Sequence, residues 1–198
     1  MSWPYTRFTV SMLNVARRSW LDRRGATMIE FAMVVAPFVA LMLAILQTSL
    51  IYFTQQALET AVEATARQVI TGQSQAGDAK GANSGLSSAQ LQARFQQAAC
   101  AQLPGFIKCN KLFVDVRSAG TWADLDTSLP VMTFDKNGNV TNKFTYSLGT
   151  QGAVIMVRLM YIWPLQGSPI PLSLGNMVNS ANQRLIVATS VAKSETYS

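Results

Sequence analysis

Glu30 is the residue whose position demands a chemical explanation. No formal charge follows it from Phe31 to Leu58, and Gly25, preceded by Arg23 and Arg24, stands five positions before it. A carboxylate at the head of an apolar run is costly unless a cation partners it. The chemistry open to Glu30 is therefore ion pairing. Taken alone, an acid behind a positive flank is also what an ordinary signal anchor carries at a membrane interface.

The remaining candidates narrow quickly. The chain has no histidine. That removes His-based acid–base catalysis, the Ser and Cys triads that use His, and nearly all His-containing metal sites. Cys100 and Cys109, with eight residues between them, do not fill a zinc site by themselves. In an oxidising compartment they are expected to form a disulfide around the loop AQLPGFIK, which would stabilise by roughly 2–3 kcal/mol. Asp135-Lys136-Asn137-Gly138-Asn139 superficially matches a calcium loop. Such a loop needs glycine at its sixth and glutamate at its twelfth position, where this chain has Val140 and Tyr146. Asp124 and Asp126 have no acid–base partner in their loop and read as solvated. No nucleophile–base pair or phosphate loop is visible, so no catalytic residue, metal or cofactor is expected, and an enzyme is the weakest reading.

The elements that must position Glu30 come from composition. The chain has 198 residues, enough for one membrane helix and one modest domain. Hydrophobic residues make up 49% and charged residues 13%, and the apolar excess lies near the N-terminus. The net charge is +6. Residues 1–25 hold five arginines against Asp22, a net +4, while residues 26–198 hold 11 basic and 9 acidic side chains, a net +2. Nucleic-acid binding would need cations clustered on a folded surface, so no such partner is expected. Arginines beside a first span instead keep that side in the cytoplasm.

Residues 1–22 lack strong periodicity and read as disordered or weakly helical. A span needs about 20 apolar residues; the run from Phe31 is apolar throughout to Leu46 and, after Gln47, Thr48 and Ser49, resumes over Leu50–Phe53. It also exceeds the apolar region of a cleavable secretory signal, and no small-x-small site follows it. Pro37 is expected to kink the helix, having no N–H to donate. Beyond Phe53, Leu58, Ala61, Val62, Thr65, Ala66 and Val69 recur at helical spacing. One helix from about Ala26 to Ile70 is expected, half in lipid and half out. Gly72 to Ser88 reads as a linker rich in small and polar residues. Ser87 or Ser88 should cap a second helix from Ala89 to about Ala101, ended by Pro104-Gly105. Lys111–Ser118, Gly152–Trp163 and Gln183–Lys193 read as strands, the second central because it is apolar on both faces. Met132–Asp135 and Val140–Leu148 read as a hairpin with a type I′ turn at Asn137-Gly138. Phe144, Tyr146, Tyr161 and Trp163 read as sheet core. The fold class is α+β: a long N-terminal transmembrane helix continuing out of the membrane, then a small antiparallel sheet of about four strands with one packed helix. The expected domains are a basic leader at 1–25, the helix at 26–71, the linker at 72–88 and the α+β domain at 89–198.

The segment GATMIE, with its basic leader, resembles the class III signal of type IV prepilins. More narrowly, RRGATMIEFAMVVAPFVALMLAI is similar to the N-terminal signature of TadE-like proteins, matching at Arg24, Gly25, Glu30, Phe31, Ala32 and Pro37. LFVDVRS, VIMVRLMYIWP and LIVATSVAKSE also look similar to that family's strands, while the tail Ser194–Ser198 departs from its Asn-Glu-Pro-like ending. The resemblance implies a pilin-like pseudopilin or minor pilin of the tight-adherence (Flp) type IV pilus, used in surface adhesion. It implies cleavage between Gly25 and Ala26 by a prepilin peptidase, at a glycine that lets an extended chain enter a narrow cleft. It further implies that Glu30, with Phe31, recognises a neighbouring subunit by pairing with its N-terminal amine. The partners implied are the peptidase, other pilin or pseudopilin subunits, the assembly machinery and the bacterial inner membrane. The protein would be single-pass, N-terminus cytoplasmic and C-terminal domain periplasmic, or extracellular once in a pilus. An uncleaved, signal-anchored periplasmic binding or adhesion module is the alternative.

Overall fold

The computed structural model describes residues 26–81, 83–165, 174–177 and 183–195. The leader and Gly25 lie outside them. The chain divides into two compact units, Met1–Leu46 and Gln47–Ser198.

The first element, α1, is one helix over Ala26–Ile70 that continues through Pro37. It is long and apolar enough to cross a membrane. In the first unit its large apolar side chains are exposed on every side: Met28, Ile29, Phe31, Met33, Val34 and Phe38 among them. A helix that is apolar all round is made for lipid or for other helices, not for water.

In the second unit the same helix is two-faced. Ile51, Thr54, Leu58, Ala61, Val62, Thr65, Ala66 and Val69 are buried, a repeat of three and four that marks one helix face. The buried threonines return their hydroxyls to the helix, Thr54 to the Leu50 carbonyl at 2.8 Å and Thr65 to that of Ala61 at 2.9 Å. Gly72, with φ 76°, turns the chain at the helix end. Its N–H donates to the Val69 carbonyl, and the Glu195 N–H donates to that of Ile70.

Within the stretch read as linker, Gln73–Ala79 folds into a short helix, α2. The Gln75 amide nitrogen donates to the Leu148 carbonyl at 3.2 Å, so a tertiary contact overrides the composition. Next, α3 spans Ser88–Ala101 with Ser87 as N-cap. The Ser87 N–H donates to the Gln90 side chain at 2.9 Å and the Gln90 N–H to the Ser87 hydroxyl at 3.4 Å, a capping box.

The strands are β1 (Leu112–Ala119), β2 (Val154–Pro164) and β3 (Gln183–Lys193), antiparallel in the order β1-β2-β3. The central position of β2 agrees with its apolar sequence. Leu112 faces Tyr161, Val116 faces Val157 and Leu159 faces Ala188. These residues and their same-face neighbours form one core with the buried face of α1 and with Phe95 and Ala99 of α3. The opposite sheet face, around Val154 and Met156, packs on Leu125 from the long segment between β1 and β2.

The sheet has three strands among the described residues, not about four. The segments around Asn137-Gly138 meet at a single bridge, Phe134 to Val140. Side chains take over the backbone there: the Thr133 N–H donates to the Asn142 side chain at 2.7 Å, and the Asn142 amide donates to the Val131 carbonyl at 2.8 Å. The turn is not type I′, since among the described residues no non-glycine, Asn137 included, has positive φ. Gly138 alone adopts it, at 79°, and its N–H donates to the Asp135 carbonyl at 3.0 Å. That pattern fits a type I turn followed by a glycine bulge.

Candidate functional site

In the first unit, Glu30 follows the helical Ala26 backbone by four residues. At 3.6 residues per turn the two share a stripe, separated by about 6 Å along the axis, and Met33 and Pro37 continue it. Glu30 is exposed and Phe31 is 67% exposed. The carboxylate is thus the one charged group on a helix surface that is otherwise apolar from Phe31 to Leu46. An external cation is the partner such a group calls for.

Cys100, in the last turn of α3, and Cys109, in the 3-10 turn Cys109–Lys111, form a disulfide with their Cα atoms 5.7 Å apart. It closes the loop as expected from the sequence and fastens α3 to the start of β1. Inside the loop Leu103 and Ile107 enter the core, while Phe106 stays 46% exposed. Of the aromatic residues expected in the core, Tyr161 is buried, whereas Phe144, Tyr146 and Trp163 are half-buried.

A buried charge network escapes the sequence reading. Arg158, in the middle of β2, and Asp115, directly opposite on β1, are 2% and 0% exposed. The Asp115 carboxylate lies 2.9 Å from Arg117 Nε and 3.7 Å from Arg158. It also accepts the Thr145 N–H at 3.1 Å. Arg158 donates to the carbonyls of Ser128 at 2.8 Å and Thr127 at 2.9 Å. The network therefore clamps two parts of the β1–β2 connection onto the sheet. Burial lowers the Arg158 pKa, against the opposing pull of Asp115. The signal was present: one arginine inside an otherwise apolar strand implies a buried acid nearby.

Asp126 is not merely solvated, for it pairs with Arg117. Its pKa is lowered, first by hydrogen bonding to Ser128 and then by Arg117. Asp135 accepts the N–H groups of Asn137 and Asn139, each at 2.8 Å, and the Asn139 amide at 3.0 Å. Those bonds, Asn139 foremost, lower its pKa. It acts as a turn-former, as the sequence suggested. The Tyr146 hydroxyl donates to Asp78 of α2 at 3.1 Å. Burial, then the Asp78 charge, push its pKa upward. Among the described residues, no group of three or more His, Cys, Asp or Glu side chains is placed to hold a metal ion.

The family model described as TadE-like protein matches residues 25–67. The match takes in Gly25, Glu30, Phe31 and Pro37 together with most of α1, and ends before the sheet. No curated protein matches the chain, and no solved structure does. Over residues 25–67 the chain is similar to TadE-like proteins, and the helix that carries most of this match is long and apolar enough to cross a membrane.

Proposed function

We propose that the chain is a prepilin-like pseudopilin or minor pilin, cut between Gly25 and Ala26 by a prepilin peptidase and needed to assemble a Tad (Flp) pilus for surface adhesion. It would sit in the bacterial inner membrane as a single span, N-terminus cytoplasmic and the α+β domain periplasmic. The observation that carries this reading is the lone carboxylate of Glu30, exposed on an apolar helix one turn after Ala26.

Cleavage would turn the Ala26 nitrogen into an amine at the head of α1. In a neighbouring subunit that amine is the cation Glu30 requires. Pairing Glu30 with a neighbour's Ala26 amine would offset the two helices by about 6 Å, four residues of rise. Phe31, next in sequence, would pack against the same neighbour. Inside each subunit the buried face of α1 is part of the domain core, so a shift of this helix within the second unit carries the sheet with it. The role is structural, with no cofactor. Its partners would be the peptidase, other pilin or pseudopilin subunits and the assembly machinery.

Glu30→Val tests the reading. The variant should be processed after Gly25 at the normal rate, yet pili recovered by shearing should fall at least tenfold, the scale of about 1.4 kcal/mol per contact. Wild-type piliation by Glu30→Val would sink the recognition role. The alternative, an uncleaved anchored binding module, predicts an intact leader and no effect of Gly25→Arg.

A further inference from the structure

We propose a second membrane contact in the unit Gln47–Ser198: an aromatic foot of Tyr52, Phe53, Phe106 and Trp163 seated in the headgroup layer of the leaflet from which α1 emerges. The proposal rests on the membrane-anchored reading of α1 and extends it to the folded domain.

The foot starts from the disulfide loop. Leu103 and Ile107 bury themselves on either side of its Pro104-Gly105 turn, and Phe106 is left pointing outward, 46% exposed. Its ring lies 5.8 Å from that of Phe53 on α1 and 6.5 Å, edge-on, from that of Trp163 at the end of β2. Trp163 in turn lies 6.3 Å from the ring of the buried Tyr161. Tyr52 is 71% exposed and Phe53 is 55% exposed. Phe53, Phe106 and Trp163 therefore form one ring cluster that packs on the core through Trp163 and stays uncovered at Phe53 and Phe106, with Tyr52 exposed beside Phe53 in sequence. Contiguous exposed apolar surface of this kind marks a contact with something.

Their position along α1 says what. Phe53 stands 22 residues after Phe31 in sequence, and a membrane span takes about 20 residues. An apolar helix leaves the acyl chains there, and Trp and Tyr concentrate at that level with the ring in apolar surroundings and the polar edge in water. Lys108 is exposed two residues after Phe106, and its backbone N–H donates to the Tyr161 hydroxyl at 3.3 Å. A lysine so placed reaches lipid phosphate while its stem lies along the apolar layer. The disulfide then has a job beyond stability: it holds Phe106 against Phe53.

The test uses the full chain with Trp3→Phe, Trp20→Phe and Trp122→Phe, leaving Trp163 as sole reporter, in vesicles of zwitterionic and anionic phospholipid. Lipids brominated near the top of the acyl chain should quench Trp163 roughly twofold, and Phe106→Asp should remove at least half of that quenching while the melting temperature holds, as expected for an interfacial ring at an exposed loop tip. Vesicle flotation checks the anchor separately. Protein that fails to float overturns both the anchor and the foot. Protein that floats while Trp163 ignores brominated lipid and stays open to aqueous acrylamide overturns the foot alone. Shielding of Trp163 that appears only when pilus proteins are added would assign the surface to a protein partner and also overturn it.

Discussion

Removing the Asp115 carboxylate should be among the most damaging single changes in the folded unit. Asp115 is fully buried, accepts the Thr145 N–H and lies 2.9 Å from Arg117 and 3.7 Å from Arg158. In Asp115→Ala, Arg158 keeps its two carbonyl acceptors but loses its nearest counter-charge while staying 2% exposed. Breaking a buried pair on one side costs about 3–5 kcal/mol. For a unit of this size each kcal/mol moves the melting temperature by about 2–4 °C, so the expected fall is about 6–20 °C. Replacing both charges, Asp115→Leu with Arg158→Met, should recover most of the loss, because two apolar side chains need no partner. The assay is urea and thermal unfolding in detergent, followed by circular dichroism, on wild type, both single variants and the double variant. A cost below about 1 kcal/mol for Asp115→Ala, or a double variant no more stable than the worse single one, would refute the reasoning.

Two further outcomes concern the same unit. Cys100→Ala with Cys109→Ala should cost roughly 2–3 kcal/mol, and reductant should lower the melting temperature of wild type but not of the variant. Tyr146 should stay protonated above pH 10.0, where an unperturbed tyrosine ionises, because burial and Asp78 raise its folded-state pKa. A group raised on folding stabilises fully below its unfolded pKa and loses that contribution as pH climbs toward the folded one. Stability should thus decline on the alkaline side of pH 10.0, and Tyr146→Phe should flatten the decline; phenolate absorbance and unfolding midpoints against pH check both.

The parts of the fold legible in the sequence are those where one period dominates. An uncharged run followed by apolar residues three and four apart defined α1 from Ala26 to Ile70, and alternation or unbroken apolar character marked the three strands. What stayed hidden depends on contacts distant in sequence. Gln73–Ala79 has a linker composition, yet Gln75 and Asp78 bond to Leu148 and Tyr146, more than 60 residues away. The Asn137-Gly138 hairpin never widened into strands, because the Asn142 side chain locally accepts the Thr133 N–H and donates to the Val131 carbonyl. Arg158 was absorbed into an apolar strand because nothing in its neighbourhood in sequence names Asp115 as partner. The candidate site was the reverse case. Gly25, Glu30 and Pro37 form a local pattern, so sequence alone carried it, and the structure adds the exposure of Glu30 on a helix apolar all round.

The most direct test of the proposed function is the intact mass of the protein recovered from cells with an active prepilin peptidase. The expected chain begins at Ala26, and the whole leader is retained when the same cells carry Gly25→Arg. A wild-type chain still beginning at Met1 would contradict it.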